Sequence, residues 1–482
     1  MFARFSRCVS FLALIVVAAA VAHASPKSPY SRLEGAYRFE SGRWTYVHLQ
    51  GSPEQIGFQH GYLLSAEIED TYHVLKTEAE HSSHRDWGFF RDAGRTILWP
   101  HIDVEYQKEL QGIADGAAAK GVNLDVWDIV AMNGKIELED YYVPWLNKQE
   151  HAQGLRQNDG PAIKAPGNCS AFIATGSYTK DGKIVIAHNN WSSYAEGSRW
   201  VIVFDIQPEH GHRILMDGLP SVITSQDDFG VNDAGIMATE TTITQFIGWD
   251  SKGKPEFVRS RKALQYADSI DDYLATMIKE DNGGYANDWL VGDRKTGEIA
   301  YLELGLKHTP VWRNKDGYFV SSNFARDSGL IKDETDGFDA QDVSSSPNAR
   351  RVRWEEVIAA NKGKIDVPMA EQFLADHEDS FLKEKRANQR TLCGHVDVAK
   401  EGIPEWEWGA YYPGGAVQGK AMDSDMAAKM SFVARAGHPC GEDFLAKPFL
   451  AGHPEYAWQA AILKDMKAGP WTVFSAGEKG KE

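Results

Sequence analysis

Gly167-Asn168-Cys169-Ser170-Ala171-Phe172-Ile173-Ala174-Thr175-Gly176 sets a cysteine where a polar loop turns into a strand. The preceding stretch, 149–167, is polar and rich in Gly, Pro and Asn, the composition of a surface loop. After it, Asp181-Gly182 is a strong hairpin-turn dipeptide, and Lys183-Ile184-Val185-Ile186-Ala187-His188 can form the return strand. If the chain is cut before Cys169, one residue carries both a thiol and an α-amine. Such an amine, with a pKa of about 7.7–8.0, can accept the thiol proton with no separate histidine. By position alone, the same cysteine reads as a small hydrophobe of a half-buried strand.

The pattern upstream of this hairpin is different. Residues 25–50 read as irregular and then extended. Gly51-Ser52-Pro53-Glu54 then opens a helix in which Ile56, His60, Leu63, Leu64 and Ile68 recur at helical spacing. Helical pattern fills roughly 66–145. Downstream, strands are expected at 200–207, 235–243, 287–293, 298–304 and 318–323, and helices at 256–281, 348–362 and 368–375. No repeat has a fixed period and no linker forces a domain boundary, so the reading is one α+β domain with a helical N-terminal arm.

The 482 residues are 43% hydrophobic and 25% charged, a globular composition that leaves no room for a disordered or collagenous chain. A net charge of −17 argues against nucleic acid as a partner. Arg4 and Arg7, the apolar run 11–22 and Ala22-His23-Ala24 have the order of a signal peptide cleaved after Ala24. The run is too short to span a bilayer. An exported chain, periplasmic, secreted or lysosome-like according to the host, with no stable membrane insertion, is expected. Export makes Cys393 and Cys440 the natural disulfide pair in an oxidising compartment. Zinc is the rival for them but lacks a Cys-x-x-Cys spacing, and Cys169 is left as the free thiol. No metalloprotease, phosphate-loop, nucleophile-elbow or dinucleotide motif is present, so neither a cofactor nor a metal is expected.

Cys169 with its hairpin, running on through His188-Asn189-Asn190-Trp191-Ser192-Ser193-Tyr194, resembles the nucleophile hairpin of the phospholipase B-like proteins. These are N-terminal-nucleophile (Ntn) hydrolases, related to the penicillin acyltransferase and choloylglycine hydrolase branches. Further motifs follow in the family's order: Ser225-Gln226-Asp227-Asp228-Phe229, Glu240-Thr241-Thr242, Tyr285-Ala286-Asn287-Asp288-Trp289, Asn348-Ala349-Arg350-Arg351-Val352-Arg353 and Gly414-Gly415-Ala416-Val417-Gln418-Gly419-Lys420. Upstream, Gly51-Ser52-Pro53 to Gln59-His60-Gly61 resembles the N-terminal helix motif of the acyltransferase branch. The resemblance runs from about residue 50 to 475.

It implies a four-layer αββα sandwich made as a precursor that cuts itself between Asn168 and Cys169. A 25–168 arm would then stay with a 169–482 catalytic body. Cys169 becomes nucleophile and, through its α-amine, base. Asn287 is the expected oxyanion donor, and His188 is expected near the nucleophile. Arg350 is expected as an anchoring arginine, and Thr241 or Thr242 as the residue orienting the amine. Trp191 is expected to wall the acyl site, with Asp227 and Asp228 holding it. For His188, Arg350, Trp191, Asp227 and Asp228, an ordinary packing or solvated role is the competing reading. Asn168 departs from the glycine usual at that place in the acyltransferase branch. The aromatic run Trp406-Glu407-Trp408-Gly409-Ala410-Tyr411-Tyr412 offers an apolar lid or plain packing. The implied substrate is a small acyl amide or lipid ester. The competing functions are an amidase or acyltransferase on N-acyl amino acids or antibiotic-like amides, and a catalytically silent binding protein.

Overall fold

The computed structural model describes residues 29–153, 169–227 and 229–480. The expected signal peptide, Asn168 and Asp228 lie outside the described residues. Two β-sheets stack face to face. The larger has nine strands, in the spatial order Tyr37–Ser41, Trp44–Gly51, Ile202–Pro208, Ile214–Gly218, Gly230–Asn232, Ile236–Thr242, Asn287–Asp293, Glu298–Leu304 and Val311–Asn314. The smaller runs Gly317–Ser321, Ser170–Thr175, Val185–Ser193, Gly414–Asp423, Ser431–Ala436 and Thr472–Ser475.

Period-2 alternation divides each strand between two cores. Ala171, Ile173, Ile184 and Ile186 of the smaller sheet meet Val203, Leu215, Met237, Leu290 and Tyr301 of the larger one in a dry inter-sheet layer. The alternate residues turn outward under helices. Phe172 lies 5.2 Å from Trp354 of the helix Ser346–Ala360, and Trp289 lies 5.8 Å from Tyr273 of the helix Ile270–Ile278. Helix, sheet, sheet, helix is the four-layer sandwich expected.

The segment before Cys169 is more than a helical arm. Its strand Trp44–Gly51 pairs in parallel with Ile202–Pro208, so the larger sheet is completed by residues from both sides of Cys169. Its helix Pro53–Leu63 opens with a capping box built by Ser52 and Gln55. It then crosses Val104–Ala118 at backbone contact: a Cβ on Gly61 would sit 2.0 Å from the Ile113 carbonyl oxygen. That close approach explains the glycine of Gln59-His60-Gly61. The histidine of the same motif accepts a bond at Nε2 from the Ser221 amide at 3.0 Å. The helix expected over 256–281 is two helices, Glu256–Tyr266 and Ile270–Ile278, because Ser269 caps the second.

Candidate active site

Cys169 immediately precedes the strand Ser170–Thr175, which pairs antiparallel with Val185–Ser193 through Ser170–Asn189 and Ile173–Ile186. The return strand is longer than the run 183–188 suggests, and its extra residues matter. They carry Asn190 beside Cys169, whose thiol donates to Asn190 Oδ1 at 3.9 Å. Cys169 is 1% exposed. Its φ of +99° lies in the region that side chains other than glycine rarely adopt, so the backbone at the expected scissile bond is strained. Burial, reinforced by Glu240 and Asp227, raises the thiol pKa well above its ordinary value, so in the uncut chain this sulfur is a thiol.

Arg350, in the first turns of the helix Ser346–Ala360, reaches the same residue from the other side. Its Nη1 donates to the Cys169 carbonyl at 2.6 Å, Nη2 to Asn323 Oδ1 at 2.9 Å and Nε to Ser346 Oγ at 3.1 Å. All three acceptors are neutral. The guanidinium lies 4.2 Å from the Trp191 ring and 5.6 Å from Trp406. Burial lowers its pKa to about 9, which still leaves it cationic at neutral pH. Arg350 is therefore a buried positive charge fixed on the backbone of the candidate nucleophile, rather than a solvated helix-start residue.

His188 is on the inter-sheet face two residues before Asn190, with its Nδ1 3.7 Å from Asp227. Burial, with Lys420 nearby, lowers its pKa to about 3, so it is neutral. Lys420, on the strand Gly414–Asp423, is held by Asp217 at 2.8 Å and by Asp227 in a short contact. Ser225 Oγ lies within hydrogen-bond reach of both carboxyl groups. Against the cost of burial, Lys420 and His188 keep Asp227 below the usual carboxylate range, while burial beside Asp227 drives Asp217 well above it. The two carboxyls thus titrate apart around one ammonium in a fully buried network. It accounts for both the Asp227 and the Lys420 motifs as a brace behind the candidate nucleophile.

Thr241 hydrogen-bonds Ser321 across the inter-sheet layer in a short contact, and Ser321 donates to Asp288 at 2.8 Å. Thr241 thus ties the two sheets together and makes no hydrogen bond to Cys169. Asn287 opens the strand Asn287–Asp293 and is 0% exposed, with neither amide atom hydrogen-bonded. The Asn190 amide nitrogen and the Thr242 hydroxyl are likewise buried without a partner. Native interiors satisfy nearly all such groups, so each of these three calls for an explanation. Among the described residues, Asn190, Asn323 and Ser321 are additions to the expected site. Alternation from Cys169 could have found Asn190; nothing local in the sequence flags the other two.

Trp191 points outward from the sheet, packed on Trp406 at 6.2 Å and on Gly394, where a Cβ would come 2.0 Å from the indole. Beyond it, a cavity of about 630 Å³ is lined by Trp406, Trp408, Tyr412 and Trp458 together with Glu78 and Ser193. That volume suits a small organic ligand. The aromatic run therefore forms both a packed cluster and a cavity wall. Cys393 and Cys440, the expected disulfide pair, are both free thiols in the structure. They share one cluster with His377 and His395, a grouping the spacing argument against zinc did not anticipate.

A profile of the phospholipase B family matches residues 62–302, half of the chain, across the Cys169 hairpin and the Asn287 strand. The chain belongs to the phospholipase B family. It is 25% identical over 419 residues to a phospholipase B of Crotalus adamanteus, which covers 79% of this chain and 69% of that protein. An uncharacterized protein of Archaeoglobus fulgidus is 24% identical over 281 residues, 54% of this chain and 43% of that one. This chain thus spans less than half of the Archaeoglobus relative. Among solved structures, a variant of the conjugated bile acid hydrolase from Clostridium perfringens matches with a TM-score of 0.36 and 11% identity, over 56% of this chain and 89% of that one. Among the described residues no helix is long and apolar enough to cross a membrane.

Proposed function

We propose that this phospholipase B family member is an exported, self-cleaving cysteine hydrolase acting on the carboxylic ester or amide of a fatty acyl lipid. The observation that carries the reading is the setting of Cys169. It is a strained, buried thiol at the head of a strand, its own carbonyl gripped by Arg350, beside the Asn190 amide whose nitrogen is unpaired.

In the first step the Cys169 sulfur attacks the Asn168 carbonyl carbon. The Asn168–Cys169 C–N bond breaks, the thiol proton passes to the departing nitrogen, and a thioester joins Asn168 to Cys169. Water hydrolyses it, leaving a carboxylate on Asn168 and a thiol beside a free α-amine. That amine then takes the thiol proton in each catalytic cycle. The sulfur attacks the substrate acyl carbon, and the proton is handed to the leaving alcohol or amine. A second water releases the fatty acid. The Asn287 side-chain amide, unpaired and buried, is the candidate oxyanion donor, and the Asn190 amide is a second. Arg350 positions Cys169 rather than meeting the substrate. The aromatic wall of the 630 Å³ cavity supplies apolar surface for an acyl chain.

The test is product release from two panels, lysophospholipids and N-acyl amides, by wild-type protein and Cys169→Ala. Fatty acid released by the wild type alone supports the reading, and the panel that turns over sets ester against amide. Equal release by both proteins, or none from either panel by a processed wild type, contradicts it.

A further inference from the structure

Three chain segments that are remote in sequence bring four metal-binding side chains together. His377 follows the helix Val367–Leu374, Cys393 and His395 sit on the loop that runs back past it, and Cys440 follows the strand Ser431–Ala436. One ligand atom from each lies within 4.8 Å of all the others. The two sulfurs are 3.5 and 3.6 Å from the same nitrogen, His395 Nε2. A single imidazole nitrogen has one lone pair and cannot accept from both thiols. His377 Nε2 is buried with no hydrogen-bond partner. A cation at the centre would satisfy all four groups together, and two thiolates would neutralise a divalent ion in a site where Cys393 is fully buried.

We infer that His377, Cys393, His395 and Cys440 bind a zinc ion in a closed tetrahedral site. Zinc with bonds of about 2.3 Å to sulfur and about 2.0–2.1 Å to nitrogen sets tetrahedral sulfur–nitrogen edges at about 3.5–3.6 Å, the separations found around His395. Two thiolates with two imidazoles in this geometry favour zinc over the harder divalent ions. The ligands stand on backbone that is already fixed: the Cys393 amide donates to the Asp376 carbonyl at 3.0 Å, and the His395 amide to Asn388 at 3.1 Å.

Four protein ligands leave no open position, so the role is structural. The residue between two of the ligands, Gly394, seats the Trp191 indole, and its carbonyl accepts from the Ala416 amide at 2.9 Å. Trp191 carries the Arg350 guanidinium, which holds Cys169. The zinc would clasp the 376–395 segment and the Cys440 loop against the strand Gly414–Asp423, fixing the floor under Trp191.

The test uses the full-length chain, purified without chelators or a histidine tag, with metal content measured by mass spectrometry and the state of Cys393 and Cys440 by peptide mapping. The expected result is about one zinc per chain with both thiols unlinked. Cobalt exchanged for the zinc should give the intense visible bands of tetrahedral Co²⁺ and a sulfur-to-cobalt charge-transfer band. Cys393→Ser and His377→Ala should each lose the metal, whereas Cys169→Ala should retain it. A chain that stays metal-free after dialysis against zinc sulfate, or that carries a Cys393–Cys440 disulfide, overturns the proposal. So does cobalt bound without sulfur ligation, an outcome read on the wild type even if a variant fails to fold.

Discussion

The two thiol neighbourhoods of this protein are built to opposite rules. Cys169 meets the Asn190 amide, whose nitrogen has no partner, and stands on a strained backbone. Its buried cation, Arg350, reaches the carbonyl rather than the sulfur. Cys393 and Cys440 lie on relaxed backbone among imidazoles, each sulfur within reach of a nitrogen that can share a metal. Unpaired donors suit a sulfur that must attack a carbonyl and have the resulting oxyanion stabilised. Converging lone pairs suit a sulfur that must hold still. The setting, not the residue type, separates the proposed nucleophile from the proposed ligands.

The largest effect expected from breaking this contrast is at the nucleophile. Cys169→Ala should lower acyl hydrolysis by about 10⁴-fold or more, whereas Cys393→Ser should lose its metal and some thermal stability yet still turn over. Comparable losses from the two variants would erase the distinction. Next comes the oxyanion donor: Asn287→Ala should cost about 100–1,000-fold in kcat with little change in KM, and steady-state kinetics on the preferred substrate would read it. A smaller effect follows from Arg350→Lys, which keeps a charge but loses the planar fork joining Cys169, Asn323 and Ser346. Conversion of precursor to fragments should slow by about tenfold on a gel time course, with the final sites unchanged.

The smallest effect concerns the cavity wall. Glu78, bonded by the Ser193 hydroxyl at 2.6 Å, has its pKa raised to about 7, chiefly by burial. A raised folded-state pKa means the folded state binds this proton more tightly. The stability it contributes is fully present below about pH 4.5 and is lost as pH rises through about 7. Glu78→Gln mimics the protonated form, so it should match wild type at pH 4.5 and melt a few degrees higher at pH 8, as seen by calorimetry at both values. An equal shift at both pH values would contradict the account.

Much of this was legible in the sequence because the signals are local. The polar loop, the cysteine and the apolar return run mark a hairpin, which the order of the family motifs makes the candidate nucleophile hairpin, and alternation along 287–293 and 298–304 identifies sheet strands whose two faces are both covered. Motif order brought Asn287, Arg350 and Lys420 into one reading. What escaped depends on which atoms meet across the fold. His188 sits near Cys169 in strand register, and its contact with Asp227 comes from a segment 39 positions downstream. Thr241 reaches Ser321 on the opposite sheet, a contact that no local motif announces. The Cys393–Cys440 cluster needs a histidine 16 positions upstream of Cys393 and a loop 47 positions downstream, so the search for a Cys-x-x-Cys spacing could not detect it.

The central claim is that the chain cuts itself at Cys169. The direct measurement is the intact mass and new N-terminal residue of purified wild type and Cys169→Ala, each held at neutral and at acidic pH. The account predicts that wild type separates into a fragment ending at Asn168 and one beginning at Cys169, while the alanine variant stays whole. Both proteins remaining whole under every condition, or both being cut at the same bond, would contradict it.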